Sequence, residues 1–171
     1  MQPHTCIIST VTLGTAMFFG FAAMAAELPK EGTFSATYSG FGTFKRSQIG
    51  KSKYLGMFDE NGLTVGKGLM DRLTWHCFGL QDTTDGMTQF KGNCVATDPD
   101  GDQIAMDIAS DGRQAWDAKS YGVTGTFTAG SGKYAGITGI YRYVVHSPEF
   151  RAATEGTYLN YSPGEGSYKL P

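Results

Sequence analysis

Past residue 30 the chain alternates apolar and polar residues in short runs, and no run carries the three-to-four spacing of a long amphipathic helix. The runs that read as strands are 33–43, 52–59, 62–69, 72–81, 87–97, 103–109, 122–128, 138–146 and 150–160. Turn-forming groups stand between them: Glu60-Asn61-Gly62, Asp85-Gly86, Pro99-Asp100-Gly101, Asp111-Gly112 and Gly130-Ser131-Gly132. Strands so regularly spaced, with no helical spacers, predict an all-β fold, an antiparallel sandwich or barrel.

The central hairpins can be registered from sequence. Asp85-Gly86 is a preferred pair for a two-residue type I′ turn. Placed at the tip, it sets Thr84 against Met87 and brings Cys77 opposite Cys94. The two cysteines then form a non-hydrogen-bonded pair, where Cα atoms stand about 4.5 Å apart, within disulfide reach. A Cys77–Cys94 disulfide is therefore predicted, with a contribution near ~3 kcal/mol for so short a loop. Two buried thiols or a redox-active pair would give no reason for the matched register, and no Cys-x-x-Cys occurs.

The same register assigns faces. Leu73, Trp75, Cys77 and Gly79 share the apolar face with Phe90, Gly92, Cys94 and Ala96, while His76, Lys91 and Asn93 fall outside. A three-residue loop at Pro99-Asp100-Gly101 opposes Met106 to Cys94 and Ile104 to Ala96, which keeps Ile104, Met106 and Ile108 inward. A two-residue Asp100-Gly101 turn would instead bury Asp107. Alternation places Phe34, Ala36, Tyr38, Val123, Phe127, Tyr141, Tyr143, Val145 and Tyr158 inward as well. Faces over residues 52–69 are ambiguous. This inward set holds no carboxylate pair, and its apolar walls with tyrosine hydroxyls suit a small hydrophobic molecule. The expected lining is Tyr38, Trp75, Phe90, Met106, Phe127, Tyr141, Tyr143 and Tyr158. The alternative is that these side chains simply fill the barrel.

The N-terminus changes the picture of where the chain works. Met1 to Ala26 contains no Asp, Glu, Lys or Arg, and the mostly apolar run from Ile7 ends in Ala23-Met24-Ala25. That pattern reads as a secretory signal over residues 1–25, ahead of a single domain over residues 26–171. The n-region lacks Lys and Arg, and the competing reading is an uncleaved anchor. Gly14 and Gly20 weaken it, so no stable membrane span is expected after processing. Cys6 precedes the apolar run and is not placed like a lipoprotein cysteine. Export to the periplasm or the medium suits the predicted disulfide.

Charge adds little. With 14 basic and 16 acidic residues the net charge is −2, no like-charge block occurs, and nucleic-acid binding gains no support. Asp98-Pro99-Asp100-Gly101-Asp102 lacks the sixth-position Gly and closing Glu of an EF-hand. Gly130-Ser131-Gly132-Lys133 lacks the first Walker glycine and has Tyr134 where Ser or Thr belongs. His76 and His146 have no partner at metal-ligand spacing. No metal, no cofactor and no catalytic residue is assigned.

Gly125-Thr126-Phe127-Thr128 followed by Gly130 to Gly139 resembles the glycine segment of the allene oxide cyclase-like barrels, a group that includes the dirigent proteins. Gly92-Asn93-Cys94, Thr97 to Asp102 and Glu155 to Tyr158 further resemble exported bacterial members that lack an assigned reaction. The resemblance spans roughly residues 30–171. It implies a closed antiparallel barrel of about eight strands and carries over no catalytic residue, since fold is not function. The expectation is an exported barrel that binds a small hydrophobic molecule in or at its mouth. The alternatives are a cyclase or isomerase using Tyr38, Tyr141 or Tyr143 as hydrogen-bond donors, and a non-catalytic homo-oligomeric interaction protein.

Overall fold

The computed structural model describes residues 28–146 and 155–171. The signal-peptide reading of residues 1–25, Cys6 and the first part of the 150–160 strand lie outside the described residues. The strands are β1 (Glu31–Ile49), β2 (Lys53–Lys67), β3 (Thr74–Thr84), β4 (Met87–Thr97), β5 (Gln103–Ser110), β6 (Gln114–Ala115), β7 (Ser120–Gly130), β8 (Thr138–His146) and β9 (Glu155–Lys169). All pairings are antiparallel. They run β3-β2-β1-β9-β8-β7-β5-β4, and β3 pairs with β4 to close an eight-stranded barrel. Closure removes the exposed edges that a sheet of this size would otherwise present. No helix among the described residues is long and apolar enough to cross a membrane.

The central hairpins form as their turn chemistry dictates. Asp85 and Gly86 both have positive φ (51° and 74°), the type I′ requirement, and β3 and β4 pair in the predicted register with Cys77 opposite Cys94. The two are disulfide-bonded, with Cα atoms 4.1 Å apart, and both are buried. A buried disulfide is consistent with an oxidising compartment. The next loop uses Gly101 at φ 92° and opposes Met106 to Cys94 and Ile104 to Ala96.

The predicted inward set is inward. Phe34, Ala36, Tyr38, Leu73, Trp75, Ile104, Met106, Ile108, Val123, Phe127, Tyr141, Val145 and Tyr158 are buried, and Phe90 and Tyr143 pack against them half-buried.

The region left ambiguous is where the expectation fails. Glu60-Asn61-Gly62 is not a turn. Runs 52–59 and 62–69 are one strand, β2, and the chain instead reverses between Ile49 and Lys53. Gly62 serves a different purpose: a methyl group there would fall on the Tyr38 ring, which lies flat across the bare backbone. Gly42 carries the Tyr158 ring in the same way, and Gly79 and Gly92 carry the Phe58 ring. β9 likewise outruns its expected end, continuing through Pro163 to Lys169. Pro163 has no N–H to give, and the β8–β9 ladder is interrupted between Tyr143–Gly164 and His146–Tyr161. Leu73 is buried just before β3, and β3 itself runs on to Thr84.

The two ends of the barrel differ. One is plugged by Leu69, Met70, Leu73, Tyr134, Ile137 and Leu170, all buried. There the Gly130–Gly139 segment docks on the acidic loop. Asp98 accepts N–H bonds from Asp100 (2.8 Å) and Asp102 (3.0 Å), the Tyr134 hydroxyl (3.0 Å) and the Lys133 ammonium (2.6 Å). The same ammonium also reaches Asp100 at 2.7 Å. At the other end, a strap over residues 111–119 crosses the mouth. Its β6 adds to β4 at Met87 and Thr88. The Arg46 guanidinium lies over the Trp116 ring at 3.8 Å and near the Tyr54 ring at 5.1 Å, fastening the strap to β1 and β2.

Candidate ligand-binding cavity

Beneath the strap the barrel holds a hollow of about 90 Å³. Of the expected lining residues, Tyr38, Trp75, Phe90, Met106, Tyr141, Tyr143 and Tyr158 face it. Phe127 does not. It packs on Phe34 at 5.9 Å between ring centroids, in the filled half of the barrel. Core and cavity therefore coexist, one at each end. The hollow is small beside the ~300–1,000 Å³ of pockets for drug-sized ligands, so it suits a compact group.

The apolar wall is built on registered pairs. Phe58 meets Phe90 edge-on at 5.7 Å, and Phe90 meets Tyr121 the same way at 5.7 Å. Tyr141 stacks on Tyr143 at 4.8 Å, and the Cys77–Cys94 bridge completes the side between Trp75 and Met106. Several wall groups are fully engaged. The Tyr141 hydroxyl donates to the Ala36 carbonyl at 3.1 Å, and the Trp75 indole N–H donates to Thr64 Oγ1 at 3.2 Å. Tyr141 is thus a structural group.

The residue that sequence reasoning missed is Glu60. It sits at the middle of β2, paired with Gly42 of β1 and Cys77 of β3, and is 6% exposed. Its carboxylate faces the hollow and accepts from Asn160 Nδ2 at 2.8 Å on each oxygen. Glu60 Oε1 and the Tyr38 hydroxyl both lie over Gly40, where no side chain intervenes. The sequence signal was present but inverted. The outward positions of β2 carry Leu55, Met57, Leu63 and Val65, all exposed, while the inward ones carry Gly56, Phe58, Glu60, Gly62, Thr64 and Gly66.

Burial, and after it the Glu60 charge, pushes the phenols of Tyr38, Tyr158 and Tyr143 well above their ordinary range, and Tyr121 follows for the same two reasons. Hydrogen bonds to Glu60 hold the Tyr38 and Tyr158 phenols further in their neutral form. The phenols are thereby held in their neutral form, which can donate a hydrogen bond. Two buried polar atoms facing the hollow have no partner, Ser162 Oγ and Asn160 Oδ1, while the Tyr38 hydroxyl is directed at Glu60. Among the described residues no cluster of His, Cys, Asp and Glu could hold a metal ion. Comparison of the chain with protein-family models, with curated proteins and with solved structures finds no match.

Proposed function

We propose that this chain is an exported barrel that binds one small, largely apolar molecule in the cavity beneath the 111–119 strap. One observation carries the reading. Fully buried polar groups stand unpartnered around a hollow whose other walls are aromatic, an arrangement that costs stability unless something occupies it. Export is supported by the buried disulfide and by the Ala23-Met24-Ala25 exit of the apolar leader. Membership among the allene oxide cyclase-like barrels is supported by the eight-stranded closure and by the place of the glycine segment between β7 and β8.

Native mass spectrometry of protein gently purified from the periplasm or medium tests the binding and the export. The expected species begins at Ala26 and carries a small-molecule adduct released on denaturation. A bare chain, together with indole resonances unmoved by added 1-butanol, would overturn the binding reading.

The cyclase or isomerase reading is favoured by the same buried carboxylate. Glu60 can take a proton from a carbon acid while the neutral Tyr38 phenol donates to an oxygen. Its mark would be turnover abolished by both Glu60→Gln and Tyr38→Phe in folded protein.

A further inference from the structure

The hydrogen-bonding inventory of the cavity is lopsided. Glu60 offers two oxygens with about four lone-pair sites, and beyond the Asn160 amide it receives only phenol donation. Asn160 Oδ1 is a further acceptor with nothing to accept, and Ser162 Oγ, likewise unpartnered, can accept or donate. Against these acceptors, among the described residues no Lys, Arg or His lines the hollow and none forms a salt bridge with Glu60. The Arg46 guanidinium, at the mouth, lies over the Trp116 and Tyr54 rings. A buried charge without a counter-ion is costly, and here it is held at mid-barrel among tyrosine faces that attract cations.

We infer that the polar pole of the cavity receives a compact ammonium head group, so that the natural ligand is an amine with an apolar body. The inference rests on the binding reading above. An ammonium brings three N–H donors and one positive charge, which is what Glu60, Asn160 Oδ1 and the unpartnered Ser162 hydroxyl lack. A carboxylate or phosphate ligand would meet Glu60 as a like charge. A neutral alcohol would satisfy one acceptor and leave the charge uncompensated. The volume of about 90 Å³ admits a head group and a short chain, with any longer tail leaving beneath the strap.

The test uses n-butylammonium, 1-butanol and butyrate on the full mature chain, read by NMR at its two indole N–H resonances. Both tryptophans, Trp75 and Trp116, line the cavity. In the wild type the ammonium is expected to bind at least tenfold more tightly than the alcohol, with butyrate weakest. In Glu60→Gln that preference should vanish while alcohol binding persists. The variant keeps the shape of the side chain, and Asn160 can turn its amide to pair with it, so the barrel should fold. Alcohol binding without ammonium preference overturns the amine assignment alone, as does a preference that survives Glu60→Gln. Failure of all three probes means the hollow holds water only, and sinks the binding reading with it.

Discussion

Asp98→Asn is the substitution whose cost the structure lets one reckon most directly. The Asp98 side chain is 2% exposed and accepts four hydrogen bonds, two from backbone N–H groups and two from Tyr134 and Lys133. Asparagine can keep its oxygen on the backbone donors, but its NH₂ then faces the Tyr134 hydroxyl and the Lys133 ammonium. The hydroxyl can rotate to accept; the ammonium has nothing to accept with. One charge-assisted bond is lost and the backbone bonds weaken from ionic to neutral acceptors. Charge-assisted bonds are worth about 1.5–3 kcal/mol. Lys133 is about one-third exposed (35%), which places the pair between surface and buried ion pairs. The expected loss is about 2–3 kcal/mol, a large share of a total that is typically about 5–15 kcal/mol.

Urea unfolding with the disulfide intact measures it, and pH gives the sign. Burial alone would raise the Asp98 pKa, but the bonds from Lys133, Tyr134 and the loop N–H groups outweigh it and hold the carboxyl below its ordinary value. A carboxyl depressed in the folded state stabilises fully above its unfolded pKa of about 4 and loses that contribution as pH falls through the folded one. Lys133 is raised by Asp100 first and Asp98 second. Its contribution is therefore full below about 10.4 and fades as pH rises through the folded value. The gap between wild type and Asp98→Asn should be widest near neutrality and close toward acid. A gap under 0.5 kcal/mol at about pH 7, or one unchanged in strong acid, would refute the reasoning.

Removing the bridge with Cys77→Ala/Cys94→Ala should cost about 3 kcal/mol from loop entropy across its separation of 17 residues, read by denaturant midpoint; a loss under about 1 kcal/mol would contradict the entropic account. Trp116→Ala removes the ring that Arg46 covers, worth about 0.5–2 kcal/mol. It should speed hydrogen exchange at the strap amides of residues 116 and 118, with the β3–β4 amides unchanged; protection equal to wild type would show the strap is fastened elsewhere. On the outer face of β1–β3, Phe41, Leu63, Val65, Met57, Phe78 and Leu80 are all exposed, with Met57 directly opposite Leu80. Roughly half-exposed each, they offer several hundred Å², approaching the ~800 Å² per partner of a standard interface. A second copy of the chain is the expected occupant. Sedimentation should show an oligomer that Leu80→Glu shifts toward monomer, and a wild-type monomer at high concentration would remove this expectation.

Legibility in the sequence followed turn chemistry. Where a turn demanded positive φ, at Asp85-Gly86 and Gly101, it fixed the register, and the register fixed which side of Cys77, Cys94, Met106 and Ile104 faces in. β2 defeats the same logic because most of its apolar residues point outward, and its inward face carries three glycines, a threonine and Glu60 beside Phe58. Gly62 then mimics a turn while serving as floor for the Tyr38 ring. The candidate site was half visible for the same reason. Most of its aromatic wall comes from strands whose faces could be assigned, and its carboxylate and Phe58 come from the one whose faces could not. Phe127 was assigned the right face and the wrong end, since alternation says nothing about depth along the barrel axis.

The glycines beneath Tyr38, Tyr158 and Phe58 carry a consequence for how this interior could be retuned. Each ring stands as far from the barrel axis as the backbone permits, because the strand below it has no flesh. Alanine at Gly62 or Gly42 would tip its ring toward the centre and narrow the chamber, although neither glycine borders it. Chamber size is thus written into bare backbone positions, separately from the groups that touch an occupant, and selectivity by bulk could drift without disturbing recognition at Glu60.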